Sequence, residues 1–171
     1  APAVDDSQPR QQWLDDTDTF GRVYDVVLGI TEPTPATNIA EVADCSPNAA
    51  SKHLTRLAEM GVVDADREAR PARYSRNDGY LEWQAASRIA RECSTEEIID
   101  HVASLEAERD NYETRFETTD PADVTVFDHD DHETIHERMQ AVSEWQGVRR
   151  DIRLYELARQ LAQNDGHLIP A

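Results

Sequence analysis

Two histidines and a glutamate, His132-Glu133-Thr134-Ile135-His136, spell H-E-x-x-H. On a helix this spacing puts both imidazoles on one face, where they can hold zinc while the glutamate activates water. Asp128, His129, Asp130 and Asp131 crowd further donors into the same stretch. The motif, however, opens a helix whose Ile135 and Met139 belong to an apolar packing stripe, and no third ligand follows at a peptidase-like spacing. Enzyme activity is therefore not expected. Acidic side chains at a helix start are favoured by the helix dipole without any ion, so neither a metal nor a cofactor is expected either. His132 and His136 stay as the ligands of a regulatory metal site, should one exist. Cys45 and Cys93 match no metal or redox spacing and read as ordinary thiols.

A second group of residues suits binding. Ser46, Asn48, Ala49, Ser51, Lys52, Thr55 and Arg56 fall on the outer faces of one short helix, because Ala50, Leu54 and Leu57 at spacings of 4 and 3 take its inner face. A carboxamide such as Asn48 pairs with adenine, and Lys52 can reach guanine or phosphate. The hydroxyls of Ser46, Ser51 and Thr55 suit phosphate oxygens. Just downstream, Arg67, Arg70, Arg73 and Arg76 form the densest basic run in the chain. Double-stranded DNA is the partner this pattern fits.

The elements that must position these residues follow from local signals. Residues 1–17 are polar, with Pro2 and Pro9, and read as a flexible arm with Trp13 and Leu14 tacked onto the core. Phe20, Val23, Val27 and Ile30 step at helical spacing after a cap at Thr17 or Asp18. Pro33 and Pro35 stop that helix. Thr37 is a suitable cap for a second helix, with Ile39, Ala40, Val42 and Ala43 on its apolar face. Asp44-Cys45 turns the chain, and Ser46 with Pro47 opens the third helix. Gly61 ends it. Residues 62–76 fit a two-stranded hairpin turning near 68–71. Together these are a helix-turn-helix followed by a wing.

Beyond Gly79 the chain reads as helical to its end. Ser94-Thr95-Glu96-Glu97 is a capping box. Ile98, Val102, Leu105, Arg109, Tyr112 and Phe116 then make a heptad seam. Residues 118–131 break it, with Val124, Val126 and Phe127 as a short extended piece. A last helix from about His132 to Gln163 carries Met139, Val142, Trp145, Val148 and Ile152 in line. A stripe this long is most simply covered by the same stripe of a second copy. A homodimer is therefore expected through Ile98, Val102, Leu105, Tyr112, Met139, Val142, Trp145 and Ile152. The fold class is mainly α with a small β-wing. Residues 1–17 are an arm, 18–79 a winged helix-turn-helix and 80–171 a helical, coiled-coil-like dimerisation region.

The formal net charge is −18, unusual beside a DNA partner. The acid is segregated: residues 77–137 carry 18 acidic and 4 basic side chains, residues 45–76 carry 4 and 6. Only one of the 17 basic residues is lysine, a balance that resembles the proteins of salt-loving archaea. At about 1 M salt the Debye length falls to about 3 Å, which makes such self-repulsion tolerable. No run approaches the roughly 20 apolar residues of a membrane span, and the first ten residues contain no secretory pattern. A cytoplasmic chain is expected.

One family resemblance is carried by the central stretch. Ser46, Ser51, Lys52, His53, Leu54, Leu57 and Gly61 reproduce a Ser-x-x-x-x-Ser-basic-His-Leu-x-x-Leu-x-x-x-Gly pattern. It resembles the recognition helix of ArsR-like winged helix-turn-helix repressors. Arg67-Glu68-Ala69-Arg70 stands where that family commonly has Arg-Glu-Gly-Arg, with Ala69 a departure at the wing turn. The resemblance covers roughly residues 18–76. It implies a recognition helix at 46–60 in the major groove, a wing at 62–76 on the backbone, and transcription regulation, with an unknown effector as a further partner. Rival expectations are a protein-binding winged-helix adaptor without a DNA role, and a metal-responsive repressor using the His132/His136 region.

Overall fold

Asp18 accepts a hydrogen bond from the Gly21 amide at 2.7 Å and so starts the helix on which the first unit is built. The computed structural model describes residues 7–128 and 131–169 and divides into two compact units, Ala1–Leu81 and Glu82–Ala171. In the first unit α1 (Ser7–Asp16) and α2 (Thr19–Gly29) precede β1 (Thr34–Pro35), α3 (Ala36–Ala43), α4 (Pro47–Glu59), β2 (Val63–Asp66) and β3 (Arg73–Arg76). α5 (Asp78–Glu92) leads into the second unit, which continues with α6 (Thr95–Phe116), a 3-10 turn at Pro121–Asp123 and α7 (His132–Gln163).

The core of the first unit holds Val23 and Val27 of α2, Ile39 and Ala43 of α3, Leu54 and Leu57 of α4, and Val62, Val63 and Tyr74 of the hairpin. These are the inward positions of the helical and alternating patterns. The sheet is antiparallel in the order β1-β3-β2, with Thr34 opposite Tyr74 and Val63 opposite Arg76. The order α2, β1, α3, α4, β2, β3, with the strands in one antiparallel sheet, is consistent with a winged helix-turn-helix. The chain is mainly α, and long C-terminal helices follow the sheet, as the patterning predicts.

Four local expectations are corrected. Residues 7–16 are a helix, held by a Gln11–Asp15 side-chain bond one turn apart and by the Trp13 indole, which donates to Asp25 at 2.9 Å. Thr37 does not cap α3. That helix begins earlier, at Ala36, with Pro35 in the cap position, and a proline side chain has no acceptor to offer. β1 itself is a third strand where only a helix stop was read. Val124, Val126 and Phe127 follow a 3-10 turn and form no strand among the described residues.

In the second unit Ser94 and Glu97 complete the capping box: the Glu97 amide donates to the Ser94 hydroxyl at 3.1 Å and the Ser94 amide to the Glu97 carboxylate at 2.7 Å. α7 returns antiparallel to α6, so that Tyr112 bonds to Glu144 and His101 lies against Tyr155. Trp145 is fully buried, with the rings of Tyr112 and Phe116 nearly parallel to it at 6.0 Å. Burial and the Glu144 carboxylate push the Tyr112 phenol pKa up. At the far end Ala86, Ile98, Ala158 and Leu161 form a second core. Ile98, Val102, Leu105 and Trp145 are thus covered within the chain itself, not by a partner's stripe. The break at 117–131 lets the chain fold the two seams onto each other. No helix among the described residues is long and apolar enough to cross a membrane.

Candidate nucleic-acid interface

The turn between α3 and α4 fixes how α4 is presented. Asp44 sits in the left-handed region at φ 54° and ends α3, and its amide reaches back to Ala40 and Glu41. The Arg22 guanidinium donates to the Ala43 carbonyl at 2.8 Å and to the Thr17 carbonyl at 2.7 Å, tying α2 to the end of α3. Sequence reasoning gave Arg22 no part in this, since the contact spans 21 residues. Cys45 packs against the core, and burial raises its thiol pKa, with Arg22 opposing that shift. The Ser46 hydroxyl accepts from the Ala49 amide at 3.1 Å, and Pro47 takes the first helical position, where a missing N–H is harmless.

With Ala50, Leu54 and Leu57 fully buried, α4 turns its other side outward. Asn48, Lys52 and Arg56 are exposed there, and Ala49, Ser51 and Thr55 are half-buried beside them. The Thr55 hydroxyl donates to the Ser51 carbonyl at 2.9 Å, and the Ser46 hydroxyl is occupied as a cap. Asn48, Lys52 and Arg56 therefore stand clear, while two of the three hydroxyls already serve the helix. His53 does not share this face: its ring meets the edge of Phe20 at 5.5 Å.

The wing is built by Asp66, whose carboxylate accepts from the amides of Glu68 and Ala69 at 3.1 and 3.2 Å. Ala69 needs no positive φ in this turn, so the departure from glycine is absorbed by the aspartate. Arg70 donates to the Arg67 carbonyl at 2.8 Å and so braces the tip. Arg67, Arg70 and Arg73 are exposed. None of them, nor Lys52 or Arg56, is ion-paired among the described residues, although Asp64, Asp66 and Glu68 are close in sequence. Arg76 differs. It donates to the Leu28 carbonyl at 3.1 Å and pairs with Asp78 at 3.0 Å, fastening the hairpin to α2.

The histidine motif lies at the start of α7, where Asp131 accepts from the Glu133 amide and the Thr134 hydroxyl. Those bonds hold its carboxyl below the usual carboxylate range. His132 and His136 are exposed, and among the described residues no group of three His, Cys, Asp or Glu is placed to hold a metal ion. His129 and Asp130 lie outside the described residues.

No curated protein and no solved structure matches the chain. A family does, and it spans the helix-turn-helix, the hairpin and nearly all of the C-terminal helices. Over residues 17–162 the chain belongs to DUF7342, a family of unknown function.

Proposed function

We propose that the chain is a sequence-specific, DNA-binding transcription regulator of the ArsR-like type, acting as a homodimer. Residues 46–60 enter the major groove and the wing at 62–76 grips flanking backbone. One observation carries the reading: beside exposed Asn48, the exposed cations Lys52 and Arg56 on α4 and Arg67 and Arg73 on the wing have no ion-pair partner among the described residues, in a chain with 35 acidic residues. A groove-sized helix presents base-reading groups, and the wing adds cations that position without reading sequence. Two copies related by a twofold would read a pseudo-palindromic site.

The test begins with a random duplex pool, from which the full chain selects its own site. On the selected duplex Asn48→Ala costs about 1–3 kcal/mol at particular base pairs. Arg70→Ala and Arg73→Ala each weaken binding across all sequences and lower the salt slope by about 1. Failure to enrich any duplex, or wild-type binding by all three variants, overturns the reading and leaves the protein-binding adaptor in its place.

A further inference from the structure

Arginine gathers on one part of α7 with little acid to meet it. Gln146, Arg150 and Arg153, at spacings of 4 and 3, share one side of the helix, and together with Arg149 they line a groove of about 280 Å³. Arg149 pairs with Asp120 at 3.3 Å. Gln146, Arg150 and Arg153 make no side-chain hydrogen bond and no ion pair among the described residues. The acids of the same stretch stand apart. Glu137, Glu144 and Asp151 recur at every seventh position on another side of the helix, where Glu144 accepts from Tyr112 and Gln140. Like charges three and four residues apart repel. Arginines crowded in this way, in a chain with 35 acidic residues, make a surface complementary to an anion from outside.

A second groove adjoins the first and shares Gln146 with it. Val126, Phe127, Met139, Val142 and Ser143 complete its lining, and its volume is about 220 Å³. Phe127 is 79% and Met139 50% exposed there. Contiguous exposed apolar surface of this kind marks a binding site, and the two grooves together fall in the range of small-molecule sites. The Arg150 guanidinium lies back along the helix, 3.6 Å from where a Cβ on Gly147 would stand, which brings it toward the apolar groove. With the apolar groove at about position 141, the arginines at about position 151 and a rise of about 1.5 Å per residue, the two centres are about 15 Å apart. An acid on a single ring is too short to fill both. A carboxylate on an alkyl chain of medium length spans them, and guanidinium forks suit its head.

We propose that this double groove on α7 binds a small amphiphilic anion, with its carboxylate on Arg150 and Arg153 and its alkyl chain on Phe127, Met139 and Val142. The site takes Met139 and Val142 out of any contact between copies. It stands whether or not the chain binds DNA.

The chain has two methionines, each about half exposed: Met139 in the groove and Met60 in the first unit. The full chain, isotopically labelled in its methionine methyl groups, is titrated with decanoate below its micelle concentration and followed by NMR. Met60→Leu assigns the two signals. The Met139 signal is expected to move and saturate while the Met60 signal stays. Arg150→Gln with Arg153→Gln, its fold checked by circular dichroism, is expected to weaken binding at least about tenfold. Acetate offers the head without the chain and decanol the chain without the head. Each is expected to bind the wild type no better than decanoate binds that variant. An unmoved Met139 signal, two signals moving together as in detergent action, full affinity in the double variant, or decanol equal to decanoate overturns the proposal. A groove covered by a second copy shows as a dimer in light scattering whose Met139 signal responds to dilution and not to decanoate, and that result overturns it too.

Discussion

Arg73 and Arg76 lie three residues apart on one strand and do different work. Arg73 faces solvent, while Arg76 is half-buried and serves the Leu28 carbonyl and Asp78. Arg76→Ala removes a charge-assisted hydrogen bond to a helix-end carbonyl and is expected to lower unfolding free energy by about 1 kcal/mol. Arg73→Ala is expected to stay within about 0.5 kcal/mol of wild type. Urea titration of both variants checks the contrast, and equal destabilisation would contradict it. Composition and spacing show that four arginines crowd the hairpin but cannot separate these two roles, because the partner of Arg76 is 48 residues away. Arg22 escaped notice for the same reason. Asn48 and Lys52 were legible because helical periodicity alone excludes them from the core.

Elements with strong local signals were read closely. The start and end of α7 and the capping box of α6 match what their sequences dictate. Ser94→Ala breaks the reciprocal cap and is expected to cost about 1 kcal/mol. In urea the midpoint should fall with the slope unchanged; an unmoved midpoint would mean the cap is idle. α1 was missed because its polar sequence offers no apolar stripe. β1 was missed because two residues flanked by prolines resemble a stop, although proline is tolerated where an edge strand need not donate. The seams on α6 and α7 were visible as stripes needing cover. Periodicity says that a stripe is covered and leaves open by what; here each helix largely covers the other.

At the scale of the whole molecule, charge sets two opposed responses to salt. With a net charge of −18 the fold repels itself at low ionic strength. Raising salt from about 0.01 M to about 1 M shortens the Debye length from about 30 Å to about 3 Å, and the melting temperature is expected to rise. Under the proposed DNA-binding function, affinity for a selected duplex is expected to fall over the same range. Thermal scans and binding isotherms across one salt series check both, and a melting temperature that falls would remove self-repulsion as the governing effect. The aromatic stack in the second unit has an optical consequence. Trp145 is wholly buried beside two rings of α6, whereas Trp83 is 42% exposed and Trp13 is half-buried at the N-terminal helix. The blue edge of the fluorescence therefore belongs to Trp145, and its red shift reports the parting of α6 from α7. In the Trp145→Phe protein that blue edge should vanish from the folded spectrum, which gives the helical pair an intrinsic probe separate from the winged unit.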